Sequence, residues 1–159
     1  MKTIQLIFFL FLIFNVGCSK LGEDLRFNNY THTDNTGSQI GGNGKDWNLD
    51  EDFNGQVNQL LSTSKTNVCN VENDFFIIGY PNPSSGFINI MYSNFDYDYA
   101  EFVLVDRRLN VLKSFETEES TTVFSFSLSD INFKRARLFY KFYKGECELR
   151  GYGNIFKNN

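Results

Sequence analysis

The chain has a single histidine, a single tryptophan, two prolines and three cysteines in 159 residues. The lone histidine, His32, lies in a polar stretch, so the usual base of Ser-His-Asp and Cys-His nucleophile schemes is missing. Basic charge is scarce as well. Against 19 Asp and Glu stand 15 Lys and Arg, for a formal net charge of -4 and a pI near 5.0. Nucleic-acid binding needs a basic face, and no such partner is expected. The apolar stretch 4–14, broken by Gln5, is shorter than the roughly 20 residues of a membrane-spanning helix. What the chain has in plenty is aromatic carbon. Its composition is 42% hydrophobic and 17% aromatic, with 18 Phe and 8 Tyr. Disordered chains lack that content, so one packed core is expected.

The N-terminus carries an address. Met1-Lys2 supplies a positive start, the apolar stretch follows, and Asn15-Val16-Gly17-Cys18 closes it. The charge, length and position are those of a secretory signal. A small residue directly before cysteine resembles a bacterial lipoprotein cleavage site, with Asn15 where Leu is usual. The resemblance implies a signal peptide over 1–17, acylation of Cys18, and a membrane as partner through that lipid. It also implies an exported protein on the outer membrane, at the periplasmic or the cell-surface face. Several acyl chains would make such anchoring stable.

With Cys18 lipidated, Cys69 and Cys147 remain. In an oxidising compartment a disulfide between them is the simple reading, and two free thiols are the alternative. The bridge would close a loop of 78 residues and restrict the unfolded chain by about 4 kcal/mol in the chain-entropy model. Neither cysteine has metal or redox spacing, and no cofactor is expected.

Residues 18–46 are polar, rich in Asn, Thr and Gly, and read as a flexible tether. Within them Gly41-Gly42-Asn43-Gly44-Lys45-Asp46 fails as a phosphate loop. Gln39 stands where the first glycine is required and Asp46 where Ser or Thr is. In the next segment, 47–70, Leu49, Phe53, Val57, Leu60 and Leu61 recur at helical spacing. Asn48 and Glu51 suit a capping box, and Asp50, Glu51 and Asp52 suit the first turn. The spacing predicts a short amphipathic helix over 48–62.

From Phe75 onward the period becomes two. Strands are expected over 75–78, 87–92, 99–106, 111–116, 123–128, 138–142 and 149–156. Both prolines lie in Tyr80-Pro81-Asn82-Pro83-Ser84-Ser85-Gly86. Pro83 suits position i+1 of a type I turn, and Gly86 suits the left-handed residue of a bulge.

Tyr80, Pro81, Asn82, Pro83, Gly86, Ile88 and Ile90 together resemble the opening of the type A C-terminal sorting domain of the type IX secretion system. Residues 100–106, Phe126-Ser127-Leu128-Ser129 and 138–142 resemble its later strands. The resemblance covers about half the chain. It implies an immunoglobulin-like antiparallel β-sandwich over 71–159, preceded by the signal peptide, the tether and the helix. Type IX secretion or envelope proteins become candidate partners. The chain departs from the family in the turn Arg107-Arg108-Leu109-Asn110, at Ala136-Arg137, and in ending without a basic strand.

Chemistry-bearing clusters are few. Asp50-Glu51-Asp52 fits helix-start electrostatics, and Asp96 with Asp98 lacks the glycine and distal glutamate of a calcium loop. No catalytic or metal site is expected. Tyr92, Phe95, Tyr97 and Tyr99 either form a platform for sugar or peptide or fill the core. Lys134, Arg135 and Arg137 form a small basic cluster. The expectation is a non-enzymatic, lipid-anchored envelope protein whose sandwich serves interaction or surface structure. The alternatives are genuine type IX cargo, a glycan- or peptide-binding module, and a carboxylate-based hydrolase.

Overall fold

Alternation along the second half of the chain puts one apolar row on each strand, and two such rows facing each other make a core. The computed structural model describes residues 25–42, 46–49, 53, 55–62, 67–71, 75–93, 95–118 and 122–158. Its strands are β1 (Thr31–Thr33), β2 (Gln39–Gly42), β3 (Asn48–Leu49), β4 (Asn67–Val68), β5 (Phe76–Tyr80), β6 (Phe87–Ser93), β7 (Tyr99–Val105), β8 (Val111–Thr117), β9 (Val123–Ser127), β10 (Arg135–Lys144) and β11 (Cys147–Phe156). One short helix, α1 (Gly55–Asn58), lies between β3 and β4.

The protein is an all-β sandwich. The larger sheet has the order β3-β11-β10-β7-β8, with β4 also pairing β11. The smaller has the order β5-β6-β9, and β1 and β2 form a separate hairpin. All pairs are antiparallel except β4 with β11. Ile77, Ile88, Ile90, Tyr92 and Phe126 face Ala100, Phe102, Leu104, Leu138, Phe142, Leu149 and Ile155 across the core. Phe102 stacks on Phe115 of the neighbouring strand at 4.9 Å.

The seven strands expected from period two all form, and the largest change is the lengthening of the last hairpin, β10–β11. The first half departs more. The helix expected over 48–62 shrinks to four residues. Asn48 and Leu49 pair with Tyr152 and Gly151 instead, because the edge of β11 offers them backbone partners. The proposed cap therefore does not form at Asn48, and Asp50, Glu51 and Asp52 lie outside the described residues. The helical spacing still has a use. Phe53, Val57 and Leu61 are buried against Val103, Val105 and Phe139 on the outer face of the large sheet.

The tether expected to reach residue 46 is corrected over 25–42 and at Asp46. Leu25 donates its backbone N–H to Arg107 O at 2.8 Å. Thr31, Thr33, Asp46 and Trp47 are buried. Thr33 Oγ1 donates to Gly79 O, and Asp46 accepts from Asn154 N, which ties the stretch to the sandwich. The signal peptide over 1–17 and Cys18 lie outside the described residues.

Candidate functional site

The segment that carries the sorting-domain resemblance runs between β5 and β6. Asn82 within it is fully buried. Its Nδ2 donates to Thr31 O and to Asn154 O, both at 2.9 Å. Its Oδ1 accepts from Phe156 N at 2.9 Å. Its backbone exchanges both hydrogen bonds with Thr33. One asparagine thus ties the N-terminal hairpin, the β5–β6 link and the last strand together. Ser84 continues the pattern by donating its N–H to Phe156 O and accepting from Asn158 N, both at 2.9 Å.

Two details of the expected turn are corrected. Residues 81–86 do not form a type I turn with Pro83 at its second position; Asn82 and Ser84 bridge outward to Thr33 and Lys157. The Tyr80–Pro81 and Asn82–Pro83 peptide bonds are both cis. Gly86 is not left-handed, and a Cβ there would meet open space. Its carbonyl accepts from Leu128 N at 2.8 Å, joining the strand start to β9. Pro81, Pro83 and Gly86 line a shallow open cleft of about 460 Å³.

Asp46 and Trp47 complete this corner. Asp46 accepts from Asn154 N at 2.9 Å and from Thr31 N at 3.2 Å. Burial pushes its carboxyl up to about 6, against the opposing effect of those N–H groups, the Trp47 backbone N–H and the Arg137 charge. The Trp47 ring lies over Gly79 of β5 and Gly153 of β11, where any Cβ would overlap it. It spans the two sheets.

Comparison with family models, with curated proteins and with solved structures finds no match.

The aromatic residues expected either to form a platform or to fill the core do not share one surface. Tyr92 and Tyr97 are buried, with their hydroxyls bonded to each other. Their rings meet Phe142 at 5.0 and 5.2 Å, and Phe95 joins at 6.2 Å. These three close one end of the core. Tyr99 points to the opposite face of the large sheet, where it packs on Tyr143 at 5.6 Å. Burial and bonding to Glu116 hold its hydroxyl well above the ordinary phenol range. A contact platform built from all four is therefore corrected, because strand alternation and the link at 95–98 send them to different faces.

The outer face of the large sheet holds a buried polar cluster that sequence reasoning missed. Lys141 is wholly buried, and its Nζ donates to Ser62 O at 3.0 Å. Glu101 accepts from Ser62 N and from the Tyr143 hydroxyl, each at 2.9 Å, and from Ser62 Oγ. Glu148 lies 4.0 Å from Lys141 and 3.3 Å from Arg150. Burial lowers the Lys141 pKa against the attraction of Glu148, and burial raises that of the Tyr143 hydroxyl. Both backbone groups of Ser62 are thus held by ions of the sheet. The cluster clamps the segment after α1 onto β7 and β10. Its arrangement serves attachment: Lys141 and Glu101 hold Ser62 of the overlying segment, while Glu148 is paired within the sheet with Lys141 and Arg150.

One sequence signal pointed there. Residues 102–105 and 138–140 are continuous apolar runs, which strands show when both faces are covered. Cys69 and Cys147 are bonded, across a sequence separation of 78. The bridge fixes the β4 strand to the start of β11. Among the described residues no group of three or more His, Cys, Asp or Glu could hold a metal ion, and no helix is long and apolar enough to cross a membrane.

Proposed function

We propose that this is a non-enzymatic, lipid-anchored cell-envelope protein whose β-sandwich serves interaction or surface structure. The observation that carries the reading is the apolar stretch ending in Gly17-Cys18, only seven residues before the first described contact at Leu25. A chain arranged in this way hangs a folded domain directly from its lipid. The polar side chains inside the fold support the same reading, since Asp46, Asn82, Glu101 and Lys141 are spent on joining layers. The test is metabolic labelling with a palmitate analogue in a bacterial host. Label should enter the wild-type chain and be lost in Cys18→Ser. Unlabelled wild type, or label retained in Cys18→Ser, refutes the anchor.

The motif from Tyr80 to Ile90 favours a second reading, type IX cargo. A fusion for that test has to carry 25–159. A boundary at residue 71 would remove Asp46, Trp47 and Cys69, each of which has its partner in the second half. Secretion of a reporter fused to 25–159, in a host with that system, would favour the cargo reading. Retention would favour a sandwich that itself serves interaction or surface structure.

A further inference from the structure

Charge is distributed along the strands of the sandwich. The end of β7, the start of β10 and the end of β11 share one end of the molecule, since Arg137 is opposite Val105 and Arg135 opposite Phe156. Around an open cleft of about 780 Å³ at this end stand Arg26, Arg107, Arg108, Lys134 and Arg135. All five are exposed. One acid, Asp106, lines the same cleft, and its carboxylate is taken by the Asn110 side chain and by the backbone of Arg108 and Asn110. The other end, where Tyr143 is opposite Tyr99 and Lys144 opposite Cys147, carries Asp96, Asp98, Glu116, Glu118 and Glu146, also exposed. A chain of net charge -4 has therefore concentrated a third of its cations at one pole.

The N-terminus meets the fold at that same pole. Leu25 is hydrogen-bonded to Arg107 O at 2.8 Å, and Leu25 and Phe27 line the cleft. Cys18 precedes Leu25 by seven residues, which span at most about 25 Å fully extended. The ten-residue strand β10 places the acidic pole about 30 Å further along. A lipid on Cys18 would thus hold the basic pole within reach of the headgroups.

We propose that the basic cleft docks on anionic phospholipid headgroups and orients the sandwich, basic pole down and acidic pole outward. The proposal rests on the lipid-anchor reading for its biological setting, while its physical test does not need the lipid. Each cation near an anionic surface strengthens binding about five-fold, and opposed acids at the far pole disfavour the inverted orientation. Salt shortens the Debye length, beyond which such attraction is screened.

The test uses the chain from residue 18 with Cys18→Ser, which keeps every described contact and carries no acyl group. It is sedimented with phosphatidylcholine vesicles, with and without phosphatidylglycerol, at low and high salt. Binding is expected only to the phosphatidylglycerol vesicles and only at low salt. Combined Arg26→Ala, Arg108→Ala and Lys134→Ala should weaken it about 100-fold, three cations at about five-fold each. Lys144→Ala at the far pole should leave it unchanged. Near-ultraviolet dichroism verifies that each variant is folded, and the single substitutions, each expected to give about five-fold, replace the triple variant if it is not. Equal binding to both vesicle types, no binding, or equal loss in Lys144→Ala overturns the proposal. Saturable binding of glycerol 3-phosphate without vesicle binding would assign the cleft to a small anion and also overturns it. Failure of acyl labelling removes the anchor and leaves this binding intact, so the two failures are distinct.

Discussion

Asp46 offers the sharpest quantitative test of the corner where the hairpin meets the sandwich. Its carboxyl is buried between Thr31 and Asn154, and burial raises its pKa from 3.8 to about 6. An acid whose folded pKa is raised binds its proton more tightly in the folded state. The stabilisation is therefore complete below about pH 4 and is lost as pH rises through about 6. Moving a carboxyl from 3.8 to about 6 changes stability by about 3 kcal/mol. Asp46→Asn removes this titration while keeping the shape. The wild type should lose about 3 kcal/mol relative to Asp46→Asn between pH 3.5 and pH 7.5, whatever the offset between them at either end. In urea unfolding that is a relative midpoint shift of about 1–3 M. Other carboxyls titrate in both proteins and cancel in the difference. Parallel stability curves for the two proteins across this range would refute the reasoning, and a difference of opposite sign would show that the N–H donors outweigh burial.

Asn82→Ala removes three side-chain hydrogen bonds and should cost about 2–3 kcal/mol; amide exchange should quicken first in β1 and at the end of β11. Gly153→Ala places a methyl group against the Trp47 ring; a loss of about 1–3 kcal/mol and a red shift of tryptophan emission are expected, and an unchanged spectrum would contradict the packing. Cys147→Ser opens a bridge of sequence separation 78. It should lower stability by about 4 kcal/mol, with reduction of the wild type giving the same loss in a denaturant titration.

Much of the sandwich is legible in the sequence. A strand shows its side chains alternately to two faces, so Phe124, Phe126 and Leu128 declared a buried row, with Ser125 and Ser127 facing out. The cysteine pair was legible by elimination, and the structure joins it. The helix was misjudged in extent, because spacing reports which side chains share a side but not whether the backbone has a better partner. For Asn48 and Leu49 that partner was β11. Of the two readings of the aromatic quartet, core filling holds for Tyr92, Phe95 and Tyr97, while Tyr99 packs on the other face of the large sheet.

The sequence by itself determined the strand periods, the candidate anchor at Cys18, the aromatic core and the disulfide partners, because these depend on neighbours along the chain or on simple counting. The tertiary structure alone decided what covers each face. Lys141 alternates with the core residues Tyr140 and Phe142, and its burial comes from the segment after α1, whose Ser62 carbonyl accepts from its Nζ. Residues 25–42 read as a tether until Asn82, Asp46 and Asn154 take up their backbone groups. Burial is a property of three-dimensional neighbours: Ser62 lies 79 residues from Lys141, and Asn82 and Asn154 lie 51 and 125 residues from Thr31 and Asn29.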